Sequence, residues 1–208
     1  PYLTSREIAI GYAPVRASRV TYVGELGWEL YVPIEFAAHV YGEVTERGGE
    51  FGLRHAGFHA LESLRVEKAY RAWGLDISDQ ETPLEAGLSF AVAFDNPAGF
   101  NGKEALLRQR REGLKKRLAV FTLDDPEPLL LGDEPIYRDG KLVGRTTSGA
   151  FGHTVGRSVG MGYVEHEEGV DPAFIRSGSY EIEVLAERHT ANAGLRAAYD
   201  ADGERVRG

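Results

Sequence analysis

The sequence predicts an α+β protein, a mixed helix–strand part followed by a small antiparallel β-barrel. Apolar residues recur at helical spacing before about residue 115. Beyond Glu112–Lys116 that period gives way to short runs of alternating residues. Gly-rich turns separate those runs, and one holds the hairpin dipeptide Asp139-Gly140. The shift divides the chain into residues 1–115 and 116–208, with helices expected only in the first part.

Taken in order, Arg19 to Pro33 reads as a hairpin. Val20, Tyr22 and Gly24 share one face of its first strand, and Gly24-Glu25-Leu26-Gly27 makes the turn. Trp28, Leu30 and Val32 alternate with Glu29 and Tyr31 in its second strand. Phe36, Val40 and Val44 then mark one face of a helix that Gly48-Gly49 stops. A second helix spans about Phe58 to Ala69, with Ala60, Leu61, Leu64 and Lys68 along its stripe and a charged outer face. Thr82-Pro83-Leu84-Glu85 matches a capping box with Pro at the first helical position. Leu88, Phe90, Val92 and Phe94 follow at the period of two that marks a strand, and Lys103 to Arg111 reads as a third helix. In the second part, strands are expected at Leu118–Leu123, on either side of Asp139-Gly140, at Val159–Val164 and at Tyr180–Leu185.

Composition bounds the function. The chain has 208 residues, 42% hydrophobic and 27% charged, enough to build a core without disulfides. Cysteine is absent, which removes thiol catalysis and Cys-based metal sites. A net charge of −8 argues against a nucleic-acid partner, because phosphate needs a basic face. No apolar run is long enough to span a membrane. The six His residues show no ligand spacing, so no metal is expected. An initiator Met is also absent, which fits a fragment.

Four motifs carry a family resemblance. They are Tyr22 to Glu29 (YVGELGWE), Ser63 to Tyr70 (SLRVEKAY) with Trp73 to Ile77 (WGLDI), Pro83 to Leu88 (PLEAGL), and Thr147 to Thr154 (TSGAFGHT). Together they resemble the glycine-cleavage T-protein, or aminomethyltransferase, family. The first two forms, and the ending from Ala198 to Gly208, are most similar to the carboxyl-terminal part of sarcosine and dimethylglycine dehydrogenases. The resemblance implies a partial folate-binding α/β domain followed by the small barrel. It also implies tetrahydrofolate as cofactor and the flavin domain of a parent protein as partner, with FAD only on that domain. The earlier portion of the folate domain, with the family's catalytic Asp, is expected to lie outside these residues, so no catalytic residue is assigned. A cytoplasmic location is implied, or the mitochondrial matrix if the source is eukaryotic.

By resemblance Glu29 binds the pterin, whose amino group and adjacent ring N–H form a paired donor that one carboxylate can accept. On the residues alone the favoured reading of Glu29 is a solvent-facing strand Glu, and the resemblance reverses that preference. Tyr22 lines the folate pocket by resemblance, or packs across the hairpin. Arg65 could neutralise folate carboxylates, or pair with Glu62 or Glu81. Tyr70 and Trp73 are either pocket lining or packing aromatics. Gly156-Arg157-Ser158-Val159-Gly160 matches a nucleophile elbow in letters only, because a strand and not a helix follows it. The implied role is capture of a one-carbon unit from an oxidised N-methyl amine as methylenetetrahydrofolate. The alternatives are a T-protein served by a lipoyl carrier and a truncated, non-catalytic folate-binding module.

Overall fold

A computed structural model describes residues 1–208, which divide into two compact units. Residues 1–62 with 202–208 form the first, and residues 63–201 form the second. No helix is long and apolar enough to cross a membrane.

The first unit opens with β1 (Ser5–Ile10) and β2 (Ala13–Ser18), antiparallel neighbours joined across Gly11 in a left-handed conformation (φ 58°). β3 (Glu29–Tyr31) adds to the other side of β2, giving the order β1-β2-β3. One face of β2 is apolar. Ala13 and Val15 are buried there against Val40 of α1 (Ala37–Gly48), with Ile10, Val32 and Phe36 at the edge of the cluster. Phe36, Val40 and Val44 were expected on this helix face; burial of Val40 docks the helix, Phe36 packs from the turn just before it, and Val44 is exposed.

The hairpin expected over Arg19–Pro33 does not form. The first strand ends at Ser18, and Arg19–Trp28 is a series of bends. The reason lies in Arg19, whose N–H donates to the Thr4 carbonyl (2.8 Å) and whose carbonyl accepts from Leu3 (2.9 Å). Its nearly buried guanidinium donates to the Gly27 carbonyl (3.2 Å) and lies 5.8 Å from the Trp28 ring centre. With those groups committed, β3 pairs with β2, Glu29 opposite Ser18 and Tyr31 opposite Arg16.

Helix α2 (Phe58–Glu67) lies where the second helix was expected, but its charges are not on an outer face. Ser63, Arg65, Val66 and Glu67 are its buried residues, followed by buried Lys68 and Ala69. Each charge is satisfied within the second unit. Arg65 Nη1 donates to Asp76 Oδ2 (2.6 Å) and to the Tyr70 carbonyl (3.1 Å), while Nη2 donates to Ser148 Oγ (2.7 Å). Glu67 Oε1 accepts the backbone N–H groups of Thr154 (2.7 Å) and Val155 (2.8 Å). Lys68 Nζ pairs with the Asp200 carboxylate and lies 5.0 Å from the Tyr199 ring centre. A buried charge needs an ion-pair partner or a set of hydrogen bonds: Arg65 and Lys68 have carboxylate partners, and Glu67 has its two backbone N–H donors.

Thr82 and Glu85 make the expected reciprocal cap: the Thr82 N–H donates to Glu85 Oε2 (2.8 Å), and the Glu85 N–H donates to Thr82 Oγ1 (3.2 Å). The strand expected at Leu88–Phe94 is absent. A 3₁₀ turn at Ser89–Ala91 stands in its place, and Phe90 is 84% exposed. No neighbouring strand is available, so the backbone closes locally, Ala91 N–H on the Leu88 carbonyl (3.0 Å) and Val92 N–H on that of Ser89 (3.2 Å). Helix α3 (Lys103–Glu112) follows as expected.

Six strands then close into an antiparallel barrel: β4 (Lys116–Leu123), β5 (Pro135–Arg138), β6 (Lys141–Gly152), β7 (Arg157–Glu165), β8 (Tyr180–Val184) and β9 (Glu187–Gly194). Their order is β4-β7-β6-β5-β8-β9, with β9 pairing back onto β4. Asp139 (φ 51°) and Gly140 (φ 78°) both take positive φ in the β5–β6 turn, as a type I′ turn requires. The interior holds Phe121, Leu123, Ile136, Val164, Tyr180 and Ile182. Val159, Met161 and Tyr163 of β7 point the other way and pack with Val66 and Ala69 at the end of α2. β7 is therefore covered on both faces, which explains its unbroken run of buried residues. One expectation fails here. A six-residue helix, α4 (Pro172–Ser177), interrupts the strands, with Asp171 Oδ1 accepting the Phe174 N–H (2.6 Å) as its cap. The tail ends in α5 (Glu204–Arg207), which buries Val206 in the first unit.

Three measurements check this account. Gly144→Ala places a Cβ on the Tyr163 carbonyl oxygen of the adjacent strand, so it should destabilise the protein by about 2 kcal/mol or more in urea unfolding. Asp76→Ala strands the Arg65 charge in the interior and should cost about 3–5 kcal/mol, with Asp76→Asn milder because it keeps an acceptor. The Glu81 carboxyl is held below its ordinary value, chiefly by the Lys116 hydrogen bond and, more weakly, by Ser78, with burial opposing. Its contribution is full above the ordinary value of 4.5 and is lost as pH falls through the lowered one. Between about pH 6 and about pH 3, Lys116→Met should therefore lose less stability than the wild type does.

Candidate functional site

The polar face of the three-stranded sheet presents functional groups in two cross-strand rows. Ser5, Ser18 and Glu29 lie in register in one, and Glu7, Arg16 and Tyr31 in the other. The opposite face of β2 is the apolar one, so the period of two in this strand sends Arg16 and Ser18 outward. Ser5 Oγ and Ser18 Oγ are 3.0 Å apart, and Arg16 Nη2 donates to Glu7 Oε1 (3.3 Å). The Tyr31 hydroxyl donates to Glu29 Oε2 (2.9 Å). That bond, and the carboxylate charge behind it, hold the Tyr31 hydroxyl above its ordinary pKa. A groove runs beside these residues along Pro14, Val15, Val32 and Pro33.

Glu29 is thus an exposed carboxylate on a paired strand, with a donor already seated on one oxygen. Tyr22 is half-buried in the bends of residues 19–28 and does not face Glu29 from a partner strand. Glu25 is half-buried in the same bends. Tyr31 carried a usable signal: it stands two residues from Glu29, which on a strand puts both side chains on one face. Arg16 carried none, because its place beside Tyr31 depends on a pairing that the local sequence does not reveal.

The second unit holds the other three candidates. Arg65 and Tyr70 are brought together, Arg65 Nη1 on the Tyr70 carbonyl and the Tyr70 N–H on the Arg65 carbonyl (2.9 Å). Arg65 is 1% exposed, and the structure gives Asp76 as its carboxylate partner, with Ser148 on its second terminal nitrogen. Tyr70 is half-buried, and Trp73 is 74% exposed on a tight loop where the Gly74 N–H donates to the Ile77 carbonyl (2.8 Å). Asp76 organises this loop. Its Oδ2 takes Arg65 and the Ala72 N–H (2.9 Å), its Oδ1 takes Thr147 Oγ1 (2.5 Å), and its carbonyl accepts the Tyr163 hydroxyl (2.9 Å). Burial pushes Tyr163 above the ordinary tyrosine range and leaves it a neutral donor. A second groove opens beside it, lined by Leu75, Glu81, Lys116, Arg145 and Thr147, with Lys116 pairing Glu81 at 2.8 Å. The Gly156–Gly160 stretch is a turn and a strand: the Gly156 N–H donates to the Gly152 carbonyl (2.7 Å), and β7 begins at Arg157.

Comparison with known proteins agrees with this architecture. Residues 1–96 match the GCVT N-terminal domain, and residues 116–200 match the glycine cleavage T-protein C-terminal barrel domain. The chain is 43% identical to the mitochondrial pyruvate dehydrogenase phosphatase regulatory subunit of Mus musculus, over 94% of this chain and 24% of that protein. It is 38% identical to the mitochondrial sarcosine dehydrogenase of Homo sapiens, over 100% of this chain and 23% of that protein. The chain thus spans about a quarter of the length of these relatives. The fold is that of the glycine cleavage system aminomethyltransferase T from Bartonella henselae, with a TM-score of 0.78 at 24% identity, over 93% of this chain and 51% of that one. The chain belongs to the glycine cleavage T-protein (aminomethyltransferase) family.

Proposed function

We propose that this chain is the tetrahydrofolate-binding portion of a sarcosine or dimethylglycine dehydrogenase-like protein. Its role there is to capture the one-carbon unit of an oxidised N-methyl amine as methylenetetrahydrofolate. Residues 1–115 are then the later portion of the folate-binding domain, and residues 116–208 are the barrel domain. Oxidation of the amine belongs to a flavin domain outside these residues. The location that goes with this reading is cytoplasmic, or the mitochondrial matrix in a eukaryote; the mitochondrial names of the mouse and human relatives are in keeping with the second.

The observation that carries the reading is the placement of Glu29. A pterin edge offers two parallel N–H donors, and a carboxylate on a rigid strand accepts both in a directional pair. Glu29 sits on such a strand and is exposed; its Oε2 already accepts a hydrogen bond from the Tyr31 hydroxyl, which orients the carboxylate. The Tyr31 ring, on the same face, offers a flat surface beside it, and Tyr22 is the further pocket-lining aromatic of this reading. Trp73 and Tyr70, in the second unit, are the further aromatic candidates for folate binding in this reading. Arg65 serves it by holding their loop through Asp76. Bound tetrahydrofolate supplies the nitrogen that takes up the one-carbon unit; the residues named here bind and orient it.

One observation favours a second reading. A relative named as a regulatory subunit matches this chain at 43% identity, so a non-catalytic folate-binding module is the alternative. Both readings require folate to bind, and formation of methylenetetrahydrofolate from sarcosine by the parent protein separates them.

Glu29→Gln keeps the size of the side chain but loses its charge and one acceptor. Losing that charge-assisted contact should cost about 1.5–3 kcal/mol, or about ten- to hundredfold in tetrahydrofolate affinity by calorimetry. Glu25→Gln, in the bends, is the control and should bind as the wild type does. If Glu25→Gln loses binding and Glu29→Gln keeps it, the pterin acceptor has been placed on the wrong residue.

A further inference from the structure

We propose that a groove of the second unit, independent of the folate reading, binds a small oxyanion carried on a flat apolar body, such as an aryl carboxylate or aryl phosphate, with Arg117 as its receptor. The groove lies between α3, the Ser89–Phe94 segment and the chain entering α4, and has a volume of about 780 Å³. That is within the range of small-molecule sites, roughly 300–1,000 Å³. Phe90, Phe94, Gln109, Arg117, His166 and Phe174 line it. None of Tyr22, Glu29, Arg65, Tyr70 and Trp73 does.

The charge of Arg117 is the first observation. Only its Nε is engaged, on the Val170 carbonyl (3.0 Å), so both terminal nitrogens of the guanidinium donate to nothing. No carboxylate comes within ion-pair distance, although the side chain is half-buried and burial pulls its pKa down. Asp171 acts on it only at longer range. A half-desolvated guanidinium with two unused donor groups is an incomplete arrangement, and a planar oxyanion completes it bidentately.

The second observation is independent of charge. Two buried polar atoms of groove-lining residues, Gln109 Oε1 and His166 Nδ1, have no hydrogen-bond partner. Such atoms are uncommon unless a ligand or solvent reaches them. The groove also carries acids, but they do not compete for the same role. Asp171 Oδ1 is committed to the Phe174 N–H, and Glu112 and Glu168 are exposed.

The body of the ligand is set by the aromatics. Phe174 is already covered, with Arg138 3.9 Å from its ring centre and the His166 ring at 4.7 Å. Phe94 has Arg110 at 5.7 Å and Phe100 at 6.4 Å. Phe90 lies against nothing comparable and offers a free ring beside the arginine. A ligand with both a charge and a flat apolar surface uses both halves of the groove, and neither half alone accounts for it.

The test is a titration of the protein with benzoate and with phenyl phosphate, followed by ¹H–¹⁵N NMR including the Arg117 Nε–H signal. Benzyl alcohol and inorganic phosphate are the controls. Both aryl anions should shift Arg117 Nε–H and the Phe90 and Val170 amides saturably, and the tighter of the two identifies carboxylate or phosphate as the natural group. The two controls should bind at least about tenfold more weakly. Arg117→Gln should weaken both aryl anions by about tenfold or more. Phe90→Ser, at a position 84% exposed, should weaken them while leaving inorganic phosphate unchanged; it decides the matter if Arg117→Gln is unstable. Wild-type binding by both variants overturns the proposal. So does benzyl alcohol binding as tightly as benzoate, or inorganic phosphate as tightly as phenyl phosphate. Displacement of both aryl anions by tetrahydrofolate also overturns it, because the groove would then belong to the folate site.

Discussion

Asp76 and Arg65 form a buried ion pair whose members reach three separate stretches of the second unit. Arg65 belongs to α2, Asp76 to the loop after it, and their respective partners Ser148 and Thr147 to β6 of the barrel. Neither charge has access to water, so the pair is stable only while all of those partners stay in place. That requirement fixes the loop of residues 70–77 against the barrel wall, and with it the position of Trp73. The neighbouring charges of the same helix do related work. Glu67 caps the backbone of the β6–β7 turn, and Lys68 holds the chain near Asp200. Hydrophobic packing of Val66 and Ala69 on β7 supplies attraction without direction, and the buried charges supply the direction.

This division of labour explains why the helix was legible in sequence and its orientation was not. Spacing locates a helix because apolar residues normally mark the inward face. In α2 the inward face is Ser63, Arg65, Val66 and Glu67, so the usual signal is reversed. Only knowledge of Asp76, Ser148 and the Thr154 backbone, all distant in the chain from at least one partner, makes that burial intelligible. The barrel was more readable because its signals are local. Asp139-Gly140 fixes one turn by backbone geometry alone, and short alternating runs mark its strands. Helix α4 escaped notice because it is six residues long and rests on its Asp171 cap more than on any apolar period.

The first unit shows the same limit at its candidate site. Glu29 was legible as a strand residue, facing away from Trp28 and Leu30. Its neighbours were not, because the partner of β3 is β2, across the bends of residues 19–28. Arg19 decides that pairing by spending its backbone on Leu3 and Thr4. The Leu88–Phe94 segment has strand periodicity and no strand beside it, and the period of two remains in the sequence without a ladder to express it. Pattern reports what a segment is suited to, and hydrogen-bonding partners decide what it becomes.

The two sheets of the molecule differ in how they end. The barrel returns β9 to β4, so every strand in it has a neighbour on both sides. The three-stranded sheet stops at β1 on one side and at β3 on the other. Outer strands present unused backbone donors and acceptors, which recruit strands from other chains. β3 is a weak template because it has only three residues, whereas β1 has six. Concentrated solutions of this chain should therefore self-associate through β1 by intermolecular strand addition, and a Pro or Lys placed on that outer edge is the natural way to keep it monodisperse.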